Sequence, residues 1–238
     1  MSQQSPLPPP NEVRICLARA DAASWRGRGI VLDLFRFSNT ICALVESGRR
    51  DIRVYASPER AVAVRKLEKN ADLFSEIDLG PGVEQYDNSP YTALYGSDAS
   101  RAALSVTNSG SPAAASLQLA EEVLVGCFAN FPALAAYCRA HPRPTLLVPA
   151  CLFYNMGHVE DMICARALLE ELEGKDAFPA ALEEIHASGR VLDFMTFRPE
   201  TGKRDMELVL RKGTIKAVPR IIFKNGVGLV ENAAKKED

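Results

Sequence analysis

Apolar residues gather in short runs along this chain, and a polar cluster closes each run. VRICL at 13–17 and GIVLDLF at 29–35 are continuous rather than alternating, which predicts strands buried on both faces. SNTICALVESG follows the second run and reads as a helix, with Ser38 as candidate N-cap and Gly48 as stop signal. A third strand is expected at 51–57, and Ser57-Pro58-Glu59 then opens a helix that runs to about position 70. Further strands are expected at 102–108, 122–130 and 144–152, alternating with helices at 111–120, 132–139 and 158–172. A repeated strand–loop–helix rhythm specifies the α/β class, with a largely parallel or mixed sheet flanked by helices, as one domain or two packed lobes. After Gly174 the rhythm breaks into one more helix at 178–188 and the strand-like pieces MELVL, IKAVPRIIF and GVGLV. The expected organisation is a disordered arm at 1–10, a single α/β domain at 11–232 with a sub-lobe from about 174, and a frayed tail at 233–238.

Composition narrows the function classes. The 238 residues are 47% hydrophobic and 24% charged with a formal net charge of -2, so no basic footprint for nucleic acid is present. No apolar run approaches the roughly 20 residues that span a bilayer, and the proline-rich start MSQQSPLPPP lacks the pattern of a secretory signal. A cytoplasmic protein with no nucleic-acid or membrane partner is expected. The six cysteines form no C-x-x-C pair and several lie inside apolar runs, which predicts buried, reduced thiols. The three histidines have no zinc spacing.

Candidate chemistry collects where the apolar strands end, which is where ligands bind in open α/β sheets. Those ends carry Asp33, Arg36, Ser38, Asn39 and Thr40, then Asn88 and Ser89, then Thr107 and Asn108, then Asn130, and finally Glu160 and Asp161. Carboxylates suit a hard cation such as Mg2+. Arginine grips phosphate or sulfonate bidentately, and helix N-termini stabilise anions. Each piece also has a plain structural role: helix caps for 38–40, turns for Asn88-Ser89-Pro90 and 107–110, and complementing of a helix dipole by Glu160 and Asp161.

As an ordered set these segments resemble the 2-phosphosulfolactate phosphatase family. The match rests on Asp33-Leu-Phe-Arg36-Phe-Ser38-Asn39-Thr40, Ser75-Glu76-Ile77, Asp87-Asn88-Ser89-Pro90, Thr107-Asn108-Ser109-Gly110, Cys127-Phe128-Ala129-Asn130 and Glu160-Asp161. The resemblance implies a magnesium-dependent phosphoric monoester hydrolase acting on a small phosphorylated acid, of the kind used in coenzyme M biosynthesis. It implies catalytic roles for Asp33, Arg36 and Glu76 and metal binding by Asp33 and Asp161. Substrate contacts fall to Ser38, Asn39, Thr40, Asn88, Ser89, Thr107, Asn108, Asn130 and Glu160. Asp33 can be read as ligand or as nucleophile. Arg36 is expected to clamp the anion rather than to form a structural ion pair. The expected partner is a small anionic substrate, and a homodimer is compatible with the sequence. Substitutions around Glu76, Asn108 and Cys127 motivate one alternative, and aromatic residues motivate another. One is an inactive homologue that binds an anion or carboxylate. The other is a hydrolase for a more apolar substrate, recruited by Phe37, Phe153 and Tyr154.

Overall fold

A computed structural model describes Pro9 and residues 11–234. The rest of the expected N-terminal arm and positions 235–238 of the tail lie outside the described residues. The strands are β1 (Val13–Ile15), β2 (Arg28–Leu32), β3 (Ile52–Tyr55), β4 (Ala71–Phe74), β5 (Ala102–Ser105), β6 (Glu122–Gly126), β7 (Thr145–Pro149), β8 (Pro219–Lys224) and β9 (Val227–Asn232). They form one sheet in the order β1-β7-β2-β6-β8-β9-β3-β5-β4. Two parallel blocks, β1-β7-β2-β6 and β3-β5-β4, are joined by the antiparallel hairpin β8–β9, which wedges between β6 and β3.

Strand pairing through that hairpin makes the two blocks nominally opposed. Sheets twist by roughly 20–25° per strand, so the steps between β2 and β5 turn the second block far from a strict antiparallel direction. This accords with the loops after β2 and after β5 meeting in one cleft, where Ser109 touches Asp33.

The helices are α1 (Arg19–Ser24), α2 (Phe37–Glu46), α3 (Pro58–Leu67), α4 (Gly110–Ser116), α5 (Phe131–Ala140), α6 (Val159–Leu172), α7 (Phe178–Ala187), α8 (Arg190–Phe197) and α9 (Gly202–Val209). Helix α2 is the structural centre. Positions 37–45 are all buried, including Ser38, Asn39 and Thr40. A helix that is hydrophobic nearly all round belongs in a core, and its three polar residues are tolerable there only because each finds a hydrogen bond. Gly110 lets α4 approach it: an added Cβ would lie 2.2 Å from Cγ of Phe37.

Several details differ from the sequence expectation. Strands β2, β3, β5, β6 and β7 end two or more residues earlier than expected; after β2 and β6, Asp33 and Asn130 turn to make local hydrogen bonds instead of continuing the ladder. MELVL lies at the end of α9 rather than in a strand. Its amphipathic spacing, with Asp205, Met206 and Val209 buried, carries the helical period from residues further upstream. Strand β4 went unread because Asp72 interrupts an otherwise short apolar run; Arg49 and Arg101 neutralise that aspartate in place. Among the described residues, no helix is long and apolar enough to cross a membrane, and all six cysteines are buried and unpaired.

Candidate active site

The chain leaves β2 at Leu32, and the next residue is the first of the cleft. Asp33 is 3% exposed. Its Oδ1 accepts from the Phe37 amide at 3.1 Å and its Oδ2 from Ser109 Oγ at 2.6 Å. Among the described residues, no arginine or lysine is paired with it in an ion pair. Burial therefore dominates, raising the pKa to about 7; Ser109 and the Phe37 amide oppose the shift, while Glu76 and Glu160 add to it.

Glu76 follows β4 on the other parallel block. One carboxylate oxygen accepts from the Asn108 amide at 2.7 Å, and burial pushes its pKa up. Its Oε2 is buried without a partner, and so is Oδ1 of Asn88. Two orphaned acceptor oxygens in one cleft need explaining, since buried acceptors are nearly always satisfied. Asp33, Glu76, Asn88, Asn108 and Ser109 together line one side of a cleft of about 440 Å³.

The rest of the lining comes from two further segments, of which the sequence reading named Tyr154 but nothing of α8. Tyr154, Asn155 and His158 precede α6, and Arg190, Phe194, Phe197 and Arg198 come from α8 and the residue after it. The latter four are spaced i, i+4, i+7 and i+8, a single helical face. That spacing was available in the sequence as a signal. Burial lowers the pKa of His158, so its imidazole is neutral near pH 7.

Arg36 lines the cleft, yet its donors are already used. Nη2 makes a bidentate pair with Asp87 at 2.8 and 2.7 Å, Nη1 pairs with Asp205, and the guanidinium stacks 4.8 Å over Phe194. Only 2% of it is exposed. The expected free clamp is thus a junction holding the 87–89 loop and α9 to the sheet. Ser89 belongs to the same junction, donating to Asp205 at 2.6 Å. Asp161 is also set back from the cleft. Its Oδ1 accepts from the Leu34 amide, and burial followed by repulsion from Asp33 and Glu160 lifts its pKa well above the carboxylate range. Glu160 is held bidentately by Arg190 at 2.8 and 2.9 Å.

The remaining candidates serve the backbone. Ser38 Oγ accepts from the Asp33 amide and donates to Val31, Asn39 donates to Leu34, and Thr40 donates to the Asn88 carbonyl. Thr107 closes a turn with Ser111. Asn130 folds inward, accepting from the Cys127 amide and donating to Val125 and Ala217, and is fully buried away from the cleft. Of the aromatics expected to recruit an apolar ligand, Tyr154 lines the cleft; Phe37 is buried in α2, and Phe153 lies beneath Arg19.

Among the described residues no three His, Cys, Asp or Glu side chains gather closely enough to hold a metal unaided. The cleft donors Asp33, Glu76 and Asn88 are nonetheless all oxygens, two of them with an unpartnered atom. Such a sparse oxygen set suits Mg2+, which keeps several waters and takes one or two carboxylates together with substrate phosphate.

Comparison with known proteins shows which proteins the chain resembles. A probable 2-phosphosulfolactate phosphatase of Gloeobacter violaceus is 26% identical over 167 residues, 69% of each chain. Similar proteins bearing that name come from Caldanaerobacter subterraneus, 24% identical over 63% of each chain, and Symbiobacterium thermophilum, 28% identical over 62% of this chain and 64% of the other. The matched stretch thus spans about two thirds of those relatives. The family model for 2-phosphosulpholactate phosphatase matches residues 18–221, and the chain belongs to that family.

Proposed function

We propose that this cleft hydrolyses the phosphate monoester of a small organic acid, with 2-phosphosulfolactate as the reference substrate. The observation that carries the reading is the pairing of a desolvated Asp33 with orphaned oxygens on Glu76 and Asn88 in one cleft. A buried, anionic, partly unsatisfied oxygen cluster is costly to fold. It becomes favourable when a cation and a phosphate complete it.

Asp33, Glu76 and the Asn88 carbonyl oxygen would hold Mg2+, which when bound neutralises phosphate oxygens and lowers the pKa of a water. Ser109 orients Asp33 through its 2.6 Å hydrogen bond, fixing which oxygen faces the cleft. Glu76 is steadied by the Asn108 amide through one oxygen, which leaves Oε2 as the atom that would face the cation. Arg36 fixes the 87–89 loop through Asp87, so its part is to position Asn88. Phe194 forms an apolar wall beside the site, with Phe197 and Tyr154 at its exposed rim.

The test is phosphate release by purified protein from 2-phosphosulfolactate and simpler phosphorylated acids, with and without Mg2+. Activity that needs Mg2+ and disappears in Asp33→Asn is the expected result. Activity indifferent to both would place the chemistry elsewhere.

A further inference from the structure

We infer that Arg198 binds the second acidic group of the substrate, the carboxylate or sulfonate rather than the phosphate, and so sets selectivity for phosphorylated acids over neutral phosphate esters. This deepens the phosphatase reading and rests on it for the substrate's phosphate half.

Three guanidinium groups line the cleft, and they differ in what they have left to offer. Arg36 is consumed by Asp87, Asp205 and Thr201. Arg190 gives Nε and Nη2 to Glu160, and Asp193 lies 3.8 Å from its remaining amino group. The Arg198 side chain donates no hydrogen bond among the described residues. Its nearest acid is Asp87 at 3.8 Å, and both oxygens of that aspartate already accept from Arg36. Arg198 is also the most exposed of the three, its side chain at 38% against 19% for Arg190 and 2% for Arg36. A guanidinium carries five donors in a planar fork matched to carboxylate and sulfonate. Here the fork is unspent and faces the cleft.

Position separates its role from that of the phosphate site. Asp33, Glu76, Asn88 and Asn108 come from strand-end loops, whereas Arg198 follows α8 and reaches the cleft beside Asp87. Its neighbours in the cleft wall are Phe194 and Phe197. A phosphate drawn to the cation-binding oxygens leaves the organic half of the substrate against this wall. An acid there meets the cleft arginine whose donors are least used and most exposed. The wall itself is anchored: Asp205 on α9 is fully buried and accepts from Arg36, Ser89 and the Tyr91 amide. Arg198 is therefore presented from a fixed support rather than from a loose loop.

The experiment compares kcat/KM for phosphoglycolate, which carries a carboxylate, with that for ethyl phosphate, which carries none, in wild type, Arg198→Gln and Arg198→Lys. The ratio of the two values should fall in Arg198→Gln by on the order of tenfold to a hundredfold, as expected for loss of a charge-assisted contact. Arg198→Lys keeps the charge without the fork and should fall between. A ratio that stays constant overturns the inference, whether both values drop together, which would put Arg198 on the phosphate, or neither does. Calorimetry with sulfoacetate gives a reading that needs no turnover: wild type should bind it and Arg198→Gln should bind it at least tenfold more weakly. Equal affinities overturn the inference. Hydrolysis of neither ester by wild type, with sulfoacetate binding that still depends on Arg198, would sink the phosphatase reading and leave the acid site standing.

Discussion

Strand β2 carries a buried charge at each end, and the two ends are built on opposite terms. At its start, Arg28 is 1% exposed and reaches Glu122 at 2.5 Å and the His141 carbonyl at 2.6 Å; Tyr137 supplies the remaining donor to Glu122 at 2.7 Å. Although burial pushes Glu122 up, Tyr137 and Arg28 outweigh it and hold its carboxyl below the usual range. Just past the other end, Asp33 has two hydrogen bonds and no ion pair, and its pKa rises to about 7. Compensated charge marks the end that holds the sheet together. Uncompensated charge marks the end where a ligand belongs, at the carboxyl side of the strands.

The largest effect that could break this contrast is catalytic. Asp33→Asn preserves shape, removes the charge and turns one acceptor into a donor, which the Ser109 hydroxyl can meet by accepting. Phosphate release with Mg2+ should fall by at least about a thousandfold, the scale of losing a residue that acts on the reacting groups. A loss under tenfold would move the chemistry away from β2. At the opposite end, Arg28→Ala should leave activity per folded molecule intact and lower stability by about 3–5 kcal/mol, because Glu122 is then buried without its partner. Denaturant unfolding measures this. A loss under about 1 kcal/mol would mean that Glu122 simply takes up a proton or water and that the pair contributes little.

How far the sequence could show this contrast depended on distance along the chain. The run at 29–35 announced a buried strand ending in an aspartate, and Ser57 and Pro58 announced the start of α3, where Ser57 does accept from the Arg60 amide. Local chemistry of that kind needs only neighbours. Arg36 was misread for the opposite reason. Three residues after Asp33 it has the look of an anion clamp, but Asp205, which occupies it, lies 169 residues further on. Asn130 shows a second limit: whether an amide at a strand end faces a ligand or bonds to its own backbone is decided by the turn, and here it caps the Cys127 amide. The α8 face was legible by spacing at 190, 194, 197 and 198. It went unread because the segment follows the point where the strand–helix rhythm stops.

A smaller effect sharpens the comparison through pH. Without divalent cations, an unfolded aspartate releases its proton near pH 3.9, while native Asp33 keeps it to about 7. Across that window the native state binds more protons than the unfolded chain. Asp33 therefore makes stability fall as pH rises from about 4 to about 7, by on the order of 2–4 kcal/mol. Glu122 acts with the opposite sign. Its depressed pKa adds stability above the unfolded value near 4.3, and this is lost as pH falls through the native value. Melting curves in chelator should show Asp33→Asn more stable than wild type at pH 8 and close to it at pH 4. If the variant gains nothing at pH 8, the burial of Asp33 is not costly.

The smallest effect concerns the one side chain that tempers this cost. Ser109 Oγ donates to Asp33 Oδ2 at 2.6 Å, the largest influence opposing burial. Its position depends on Gly110, whose missing Cβ lets α4 close on Phe37. Ser109→Ala removes one hydrogen bond to a carboxylate, worth roughly 1.5–3 kcal/mol when the acceptor is charged and roughly half that when it is neutral. Without divalent cations the cost should thus be greater at pH 8, where Asp33 is ionised, than at pH 5, where it is protonated. The same change should lift the native pKa of Asp33 further, moving the acidic limb of the pH–rate profile to higher pH. Both readings come from one protein sample: unfolding at two pH values and initial rates across the range. Equal costs at pH 5 and pH 8 with an unmoved acidic limb would show that Ser109 only packs against Asp33. The charge at this end of β2 would then be governed by burial alone.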